Sequence, residues 1–245
     1  MGPIKSISLV RAPIVSKKGA INNEATPAIG FAYLSGYLRK FGYKPVWIDG
    51  IGEGLNYFWP LEKYPGFSAH GLNFDEIIAR IPKDSQVIGF SVMFSGEWPL
   101  VRDLIMEVRK HFPDALFVGG GEHLTALTEF SLKDCPALDV CVRGEGEHIF
   151  LELIKKYEET GGFKGVNGIA YLDKEKGFCR DEGLPPRIQN IDEIGWPYWP
   201  EGHLENFWKL GKSLGIASGR DMPFLASRGC PYECTFCSSP VMWTT

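Results

Sequence analysis

The sequence predicts an α/β fold, a doubly wound parallel sheet with helices on both faces. Short apolar runs rich in β-branched residues recur between residues 6 and 172, and segments with helical periodicity separate them. The runs also lack the strict apolar–polar alternation of a half-exposed sheet. Strands that are apolar on both sides need a helical layer on each face, and strands that alternate with helices lie parallel.

Six short apolar runs bounded by turn residues are the predicted strands. In chain order they are Ser6–Val10, Pro45–Ile48, Val87–Phe94, Ala115–Val118, Asp139–Val142 and Gly168–Leu172. The helices follow from apolar residues spaced three and four apart. In chain order they are Phe31–Phe41, Val101–Phe112, Glu147–Glu159 and a short fourth helix at His203–Lys212.

Composition along the chain divides it into three parts. Residues 1–182 form the predicted α/β domain, in which the Gly- and aromatic-rich excursion at 50–73 is long enough to be functional or disordered. The string GLPPRIQNIDEIGWPYWP carries four prolines and no sustained period, so residues 183–222 are predicted to form a linker and a short helix. Residues 223–245 are expected to begin a second, incomplete domain, with its first strand at Pro223–Ser227.

The composition argues against two classes of partner. The net charge is -4, and the 26 Lys and Arg residues are dispersed, so no nucleic-acid surface is expected. No run of 18 apolar residues occurs, and therefore no membrane span is expected. A cytoplasmic location is expected, because the chain has no signal peptide and its clustered cysteines are odd in number.

Three cysteines, Cys230, Cys234 and Cys237, stand in the string CPYECTFC. At this spacing three thiolates can hold three irons of a 4Fe-4S cluster and leave the fourth iron open. Zinc remains an alternative, but a structural zinc wants four ligands, and only a distant residue such as His203 could supply the fourth. Unligated thiols are a further alternative. Three other cysteines stand singly and are predicted to be small buried hydrophobic residues: Cys135, Cys141 and Cys179.

Glycine and small polar residues gather where the predicted strands end. The four segments are Arg11–Pro13, Ser91–Gly96, Gly119–His123 and Arg143–Glu147. In open parallel sheets ligands bind at the carboxyl ends of the strands, and glycine allows a ligand to approach the backbone closely. Any one segment alone would be an ordinary turn, but four together predict a ligand-binding edge.

The cysteine string, with Phe236 before its last cysteine, resembles the signature of radical S-adenosylmethionine enzymes. The resemblance implies that Cys230, Cys234 and Cys237 ligate a 4Fe-4S cluster whose open iron binds S-adenosylmethionine. It also implies that Phe236 lies near the adenine, and that an electron donor such as flavodoxin or ferredoxin reduces the cluster. Residues 223–245 would then be the start of a radical (β/α) barrel.

The strand ends resemble the cobalamin-binding, Rossmann-like domain that precedes the barrel in one branch of that superfamily. The motifs DxHxxG, SxL and GG of such domains correspond to DGIGEG at 49–54, SVM at 91–93 and GGGEH at 119–123. TPAIGFAYLSGYLRKFGY at 26–43 and VRGEGE at 142–147 are similar to the same branch. The cobalamin contacts implied are Ser91, Met93, Gly119, Gly120, Gly121, His123, Gly144 and Glu145.

Two positions depart from the cobalamin pattern. Ile51 stands where the motif has the histidine that ligates cobalt, so cobalamin is expected to bind without a histidine on cobalt. Met93 replaces a leucine at similar volume. The string GGE at 120–122 also spells a motif that binds S-adenosylmethionine, but it precedes the cysteines and is interpreted as a cobalamin-side turn. His123 could face the corrin or solvent.

The resemblance implies a cobalamin-dependent radical S-adenosylmethionine enzyme, most simply a methyltransferase that acts on an unactivated carbon. The alternatives are a cyclase or oxidoreductase of the same family, a radical enzyme whose first domain has lost its cofactor, and a non-catalytic cobalamin-binding module. The substrate is expected to be a small molecule or a natural-product intermediate.

Overall fold

The computed structural model describes residues 2–17, 25–173, 175–183, 187–212 and 219–237. Within these ranges the strands are β1 (Ile7–Arg11), β2 (Ile14–Lys17), β3 (Val46–Asp49), β4 (Phe58–Pro60), β5 (Phe67–His70), β6 (Val87–Ser91), β7 (Leu116–Gly120), β8 (Val140–Val142), β9 (Ile169–Asp173) and β10 (Phe178–Asp181). The helices are α1 (Ile29–Lys40), α2 (Phe74–Arg80), α3 (Trp98–His111), α4 (Glu122–Ala126), α5 (Thr128–Asp134), α6 (Gly146–Thr160) and α7 (His203–Lys209).

The main sheet confirms the predicted fold class. Its described strands run in the order β10-β9-β8-β7-β6-β1-β3. Strands β3, β1, β6, β7 and β8 are parallel, whereas β9 and β10 form an antiparallel hairpin at one edge. The chain order reverses at β1, which lies between β3 and β6, and this is the point where doubly wound sheets bind ligands.

Both faces of the sheet are buried, as the continuous apolar runs predict. Val10 of β1 packs in one core cluster with Leu104 of α3, while its neighbour Leu9 packs in the other with Leu38 of α1 and Leu153 of α6. Successive strand residues point to opposite faces of the sheet, so a single strand contributes side chains to both core clusters. Each such side chain contributes about 2 kcal/mol by burial.

The excursion after β3 is folded. Strands β2, β5 and β4 form a separate antiparallel sheet within the described residues. Phe58 stacks on His70 at 4.2 Å between ring centroids, and Trp59 Nε1 donates to Gly71 O at 3.2 Å. These aromatics therefore pack the excursion against itself. His70 is buried at 3% exposure, and its Nε2 lies 2.5 Å from Leu55 O.

The segment that leads to the cysteines differs from its prediction. No strand forms at 223–227, and all of 219–237 is irregular in the part of the chain that is described. A strand needs a hydrogen-bonded neighbour, and no described strand pairs with this segment. Helix α7 begins where predicted and ends at Lys209 rather than Lys212. No described helix has both the length and the apolar composition needed to cross a membrane.

Candidate functional site

Four residues lie side by side where the central strands end. Arg11 is paired in register with Asp49 of β3 on one side and Ser91 of β6 on the other, and Ser91 is paired with Gly120 of β7. The register therefore brings three of the predicted strand-end segments and the DGIGEG string to one edge. We call this row of Asp49, Arg11, Ser91 and Gly120 the strand-end row.

The three consecutive glycines after β7 have different physical roles. At Gly120 a Cβ atom would meet nothing within 4 Å, so open space lies over this position. At Gly119 a Cβ atom would come 2.5 Å from Leu124 Cδ1, which makes this glycine a packing requirement. Gly121 has φ of 112°, where other residues are strained. Of the three, only Gly120 leaves room for a ligand.

The loop after β6 presents apolar side chains to solvent beside the strand-end row. Met93 is 45% exposed and Phe94 is 62% exposed, although the strand that precedes them is buried. The predicted strand ends at Ser91 instead of Phe94, and this frees both side chains. Apolar exposure at the ligand edge of a doubly wound sheet suits the face of a large planar ligand.

His123 is turned into the protein. Its Nδ1 lies 2.9 Å from Ser95 Oγ, its Nε2 lies 3.2 Å from Ser131 Oγ, and its ring packs on Trp98. The side chain is buried, and burial lowers its pKa below the ordinary value. The sequence left open whether His123 faces the corrin or the solvent. In the structure it faces neither, because one ring nitrogen contacts Ser95 in the loop after β6 and the other contacts Ser131 in α5.

Gly144 and Glu145 follow β8, and only the first is open. Gly144 has φ of 75°, and a Cβ atom there would meet nothing within 4 Å. Glu145 Oε2 instead accepts from Ile188 N at 2.7 Å, and its Oε1 lies 3.3 Å from Arg228 Nη1. The Glu145 carboxylate thus contacts the proline-rich segment and the segment that carries the cysteines, and it does not point into the open space over the strand-end row.

Ile51 belongs to a small hydrophobic core. It is 3% exposed and packs in one cluster with Ile14, Leu55 and Phe207. Phe207 comes from α7, so the helix after the linker covers the position where the motif has a histidine. An alkyl side chain has no lone pair with which to coordinate cobalt, as the sequence predicts.

Asp49 is the most enclosed charge of the strand-end row. It is 1% exposed, its Oδ1 accepts from Ile51 N at 3.1 Å, and its backbone N–H donates to Glu53 Oε1 at 3.0 Å. Its Oδ2 lies 3.7 Å from Arg11 Nη1 and 3.6 Å from His203 Nε2. His203, which the sequence considers as a distant zinc ligand, is buried here and faces Asp49.

Glu97 is a further titratable group, which the sequence alone did not single out. It lies in the short turn that leads from β6 into α3, and burial raises its pKa to about 7 despite the opposing charge of Arg11. A carboxyl group with this pKa exchanges its proton near neutral pH, which is a property of functional sites. No local pattern marks it, because the shift depends on tertiary burial.

The three cysteines lie on a mostly exposed irregular loop. Cys237 N donates to Cys234 O at 3.0 Å in a tight turn, while Cys234 and Phe236 are exposed and Cys230 is partly buried. Among the described residues no three His, Cys, Asp or Glu side chains are gathered in a metal-binding arrangement. Three thiols on one accessible loop still form the donor set that an iron-sulfur cluster uses.

The other cysteines behave as predicted in two of three cases. Cys135 and Cys141 are buried, and burial raises the pKa of Cys135 to about 11 and that of Cys141 still further. Cys179 on β10 is only partly buried, and burial raises its pKa too. These thiols therefore stay protonated at neutral pH.

A protein-family model described as the B12 binding domain matches residues 23–154. Among curated relatives, the chain is 30% identical over 242 residues to Uncharacterized methyltransferase PH0819 of Pyrococcus horikoshii, covering 98% of this chain and 46% of that protein. It is 31% identical over 223 residues to Anaerobic magnesium-protoporphyrin IX monomethyl ester cyclase of Cereibacter sphaeroides, covering 89% of this chain and 32% of that protein. The chain thus spans less than half the length of these relatives.

Two solved structures share the fold. The cobalamin-dependent S-adenosylmethionine radical enzyme OxsB, with aqua-cobalamin and S-adenosylmethionine bound, aligns with a TM-score of 0.67 at 24% identity over 96% of this chain and 28% of its own. The radical S-adenosylmethionine methyltransferase TsrM from Kitasatospora setae aligns with a TM-score of 0.64 at 18% identity over 98% of this chain and 42% of its own. The B12 model covers more than half of the chain. The chain therefore belongs to the B12 binding domain family, and its resemblance to cobalamin-binding radical S-adenosylmethionine enzymes is confirmed.

Proposed function

We propose that this chain supplies the cobalamin site and the cluster loop of a cobalamin-dependent radical S-adenosylmethionine methyltransferase acting on an unactivated carbon. The observation that supports it most is the open space over Gly120, at one end of the strand-end row and beside exposed apolar side chains. Gly144 adds a second open position at the same edge. A corrin ring needs such a flat, open and partly apolar edge.

Each part of the chain has a defined role in this proposal. Ser91, Met93, Gly120 and Gly144 hold cobalamin, and the cobalt receives no histidine, because Ile51 stands at the position where the motif has one. Cys230, Cys234 and Cys237 hold the 4Fe-4S cluster, with Phe236 near S-adenosylmethionine. When bound, these cofactors supply the radical and methyl-transfer chemistry, while the protein orients them and excludes water.

The remaining partners follow from that chemistry. The substrate is a small molecule or natural-product intermediate, and an electron donor of the flavodoxin or ferredoxin type reduces the cluster. We place the reaction in the cytoplasm. A radical S-adenosylmethionine cyclase is the second candidate, because a curated relative at 31% identity is named as a cyclase.

Anaerobic reconstitution tests the cluster. We expect the wild-type chain to take up about four irons and to absorb near ~400 nm, as 4Fe-4S proteins do. A variant that combines Cys230→Ala, Cys234→Ala and Cys237→Ala should take up none and still bind hydroxocobalamin. Equal iron in the two proteins would contradict the cluster assignment.

Methyl-labelled S-adenosylmethionine separates the two candidate reactions. In a protein of the relatives' full length, reconstituted with reduced cobalamin, a methyltransferase should pass the label to the cobalamin fraction. A cyclase should leave the label on S-adenosylmethionine or its cleavage products. The triple cysteine variant is the matched control for label that moves without the cluster.

A further inference from the structure

Arg228 lies two residues before the first cysteine, and its side chain is only 10% exposed. Its Nη2 donates to Glu147 Oε1 at 2.5 Å, and its Nη1 donates to Glu147 Oε2 at 3.1 Å and to Glu145 Oε1 at 3.3 Å. Both carboxylates are 7% exposed. The guanidinium therefore forms a bidentate salt bridge with Glu147 and a third hydrogen bond with Glu145. We call these three side chains the Arg228 cluster.

The two carboxylates belong to the B12 binding domain. Glu145 is the residue before α6, and Glu147 lies in its first turn, where the positive end of the helix dipole stabilises negative charge. Burial acts to lower the pKa of Arg228, but the hydrogen bonds and charges of Glu147 and Glu145 outweigh it, and the pKa is raised. Removal of one partner would leave a buried charge without compensation.

Further contacts hold the same segment. Tyr33 of α1 accepts from Leu225 N at 3.0 Å through its hydroxyl, which also donates to Leu225 O at 3.3 Å. Arg187 Nη2 donates to Arg228 O at 2.6 Å. Gly229 has φ of 78°, and a Cβ atom there would overlap the Arg187 guanidinium. The chain is thus fixed at three points just before Cys230.

We propose that Arg228, held by Glu145 and Glu147, is a positioning residue that fixes the cysteine loop to the edge of the B12 binding domain. This inference rests on the proposed function, because positioning matters only if the loop carries a cluster. Glu145 directly follows Gly144, one of the two open positions at the ligand edge. The same short segment therefore borders the cobalamin space and holds the cysteine loop at a defined distance from it.

Trypsin cleavage of the metal-free 245-residue chain tests the contact directly. Trypsin must take the Arg228 side chain into its own pocket, so cleavage after Arg228 reports release of the guanidinium. We expect Glu147→Gln to speed this cleavage about tenfold. Cleavage after exposed Arg220 is the internal reference and should not change. The matched control is Glu152→Gln, an exposed carboxylate on the same helix paired with Lys155.

Equal cleavage rates after Arg228 in wild type and Glu147→Gln would overturn the proposal. So would faster cleavage after both Arg228 and Arg220 together with a lower unfolding midpoint, because that result means general destabilisation. Should Glu147→Gln fail to fold, Glu145→Gln removes the longer of the bonds and is expected to give a smaller increase. Arg228→Lys keeps the charge but loses the planar guanidinium that binds Glu147 in a bidentate manner. Its cleavage rate at residue 228 should lie between those of wild type and Glu147→Gln.

A second measurement addresses positioning. After anaerobic reconstitution, Glu147→Gln should retain the iron of wild type, because all three cysteines are present. Its reduced cluster should give a broader electron paramagnetic resonance signal than wild type or Glu152→Gln, since the loop is no longer held in one place. An identical signal would contradict the positioning role. Wild type without iron would contradict the proposed function, while the trypsin result would still decide whether the contact exists.

Discussion

His203 Nε2 lies 3.6 Å from Asp49 Oδ2, and both atoms are buried with no hydrogen-bond partner among the described residues. This contact joins the helix after the proline-rich segment to the end of β3. His203 also packs its ring against Trp47 and Trp199. The contact therefore fixes α7 over Ile51, on the side of the strand-end row that the motif reserves for a histidine.

Acidification should lower the stability of the folded protein through His203. Burial lowers the pKa of His203, and the charge of Asp49 opposes the shift without cancelling it. The folded protein thus favours neutral His203, so its stabilisation is present above the unfolded pKa of about 6.5 and is lost as the pH falls toward the lower folded value. His203→Phe, which suits the aromatic surroundings, should reduce the loss of unfolding free energy between pH 7 and pH 5.

Urea denaturation at the two pH values measures this effect, and His111→Phe at an exposed position is the control. The same difference between wild type and His203→Phe at both pH values would show that His203 does not titrate between them.

Glu97 should produce a pH dependence of the opposite sign. Its pKa is about 7 in the folded protein and 4.5 ordinarily, so the folded state holds the proton between these values and stability falls as the pH rises through that window. Glu97→Gln should therefore gain about 2 kcal/mol in unfolding free energy at pH 8 and clearly less, about 0.5 kcal/mol, at pH 5. Glu107→Gln, on helix α3 that follows this turn and paired with Lys110, should change little at either pH. An equal effect of Glu97→Gln at pH 5 and pH 8 would argue against the raised pKa.

Ile51 should behave as a core residue and not as a cofactor contact. Ile51→Ala is expected to lower the unfolding free energy by about 3 kcal/mol, because it leaves a cavity against Phe207. Val46→Ala, at a position 42% exposed, should cost less than about 1 kcal/mol. The visible spectrum of bound cobalamin should be the same in Ile51→Ala and wild type, and a changed spectrum would place Ile51 against the corrin.

The sequence was sufficient for six of the seven described strands of the main sheet, but not for β10 or for the small sheet. Strands such as β1 and β6 are continuous apolar runs, and buried parallel strands require that pattern whatever their neighbours. Strand β4 has three residues, and among the described strands it pairs with β5 alone, which in turn pairs with β2 about fifty residues earlier along the chain. Such pairings leave no local pattern in the sequence, so the sequence does not predict a sheet in the excursion at 50–73.

The same distinction applies to the candidate site. Gly120 could be found from its motif, because a ligand edge needs a residue without a side chain. The contact of Glu145 with Arg228 could not be predicted, since Arg228 lies 83 residues away and only tertiary packing brings the two together. His123 looked available for the same reason, although Ser95 and Ser131 engage both of its nitrogens.

Titration of the 245-residue chain with hydroxocobalamin, followed by visible absorbance, tests the cobalamin site most directly. We expect saturable binding of one cobalamin per chain at micromolar concentration. Gly120→Leu, which fills the open space in the strand-end row, should weaken binding by about tenfold or more, as expected when a buried ligand loses its space. Gly162→Leu, in the loop after α6, should bind as wild type does. Absence of saturable binding, or equal affinity in wild type and Gly120→Leu, would contradict a cobalamin site at this edge.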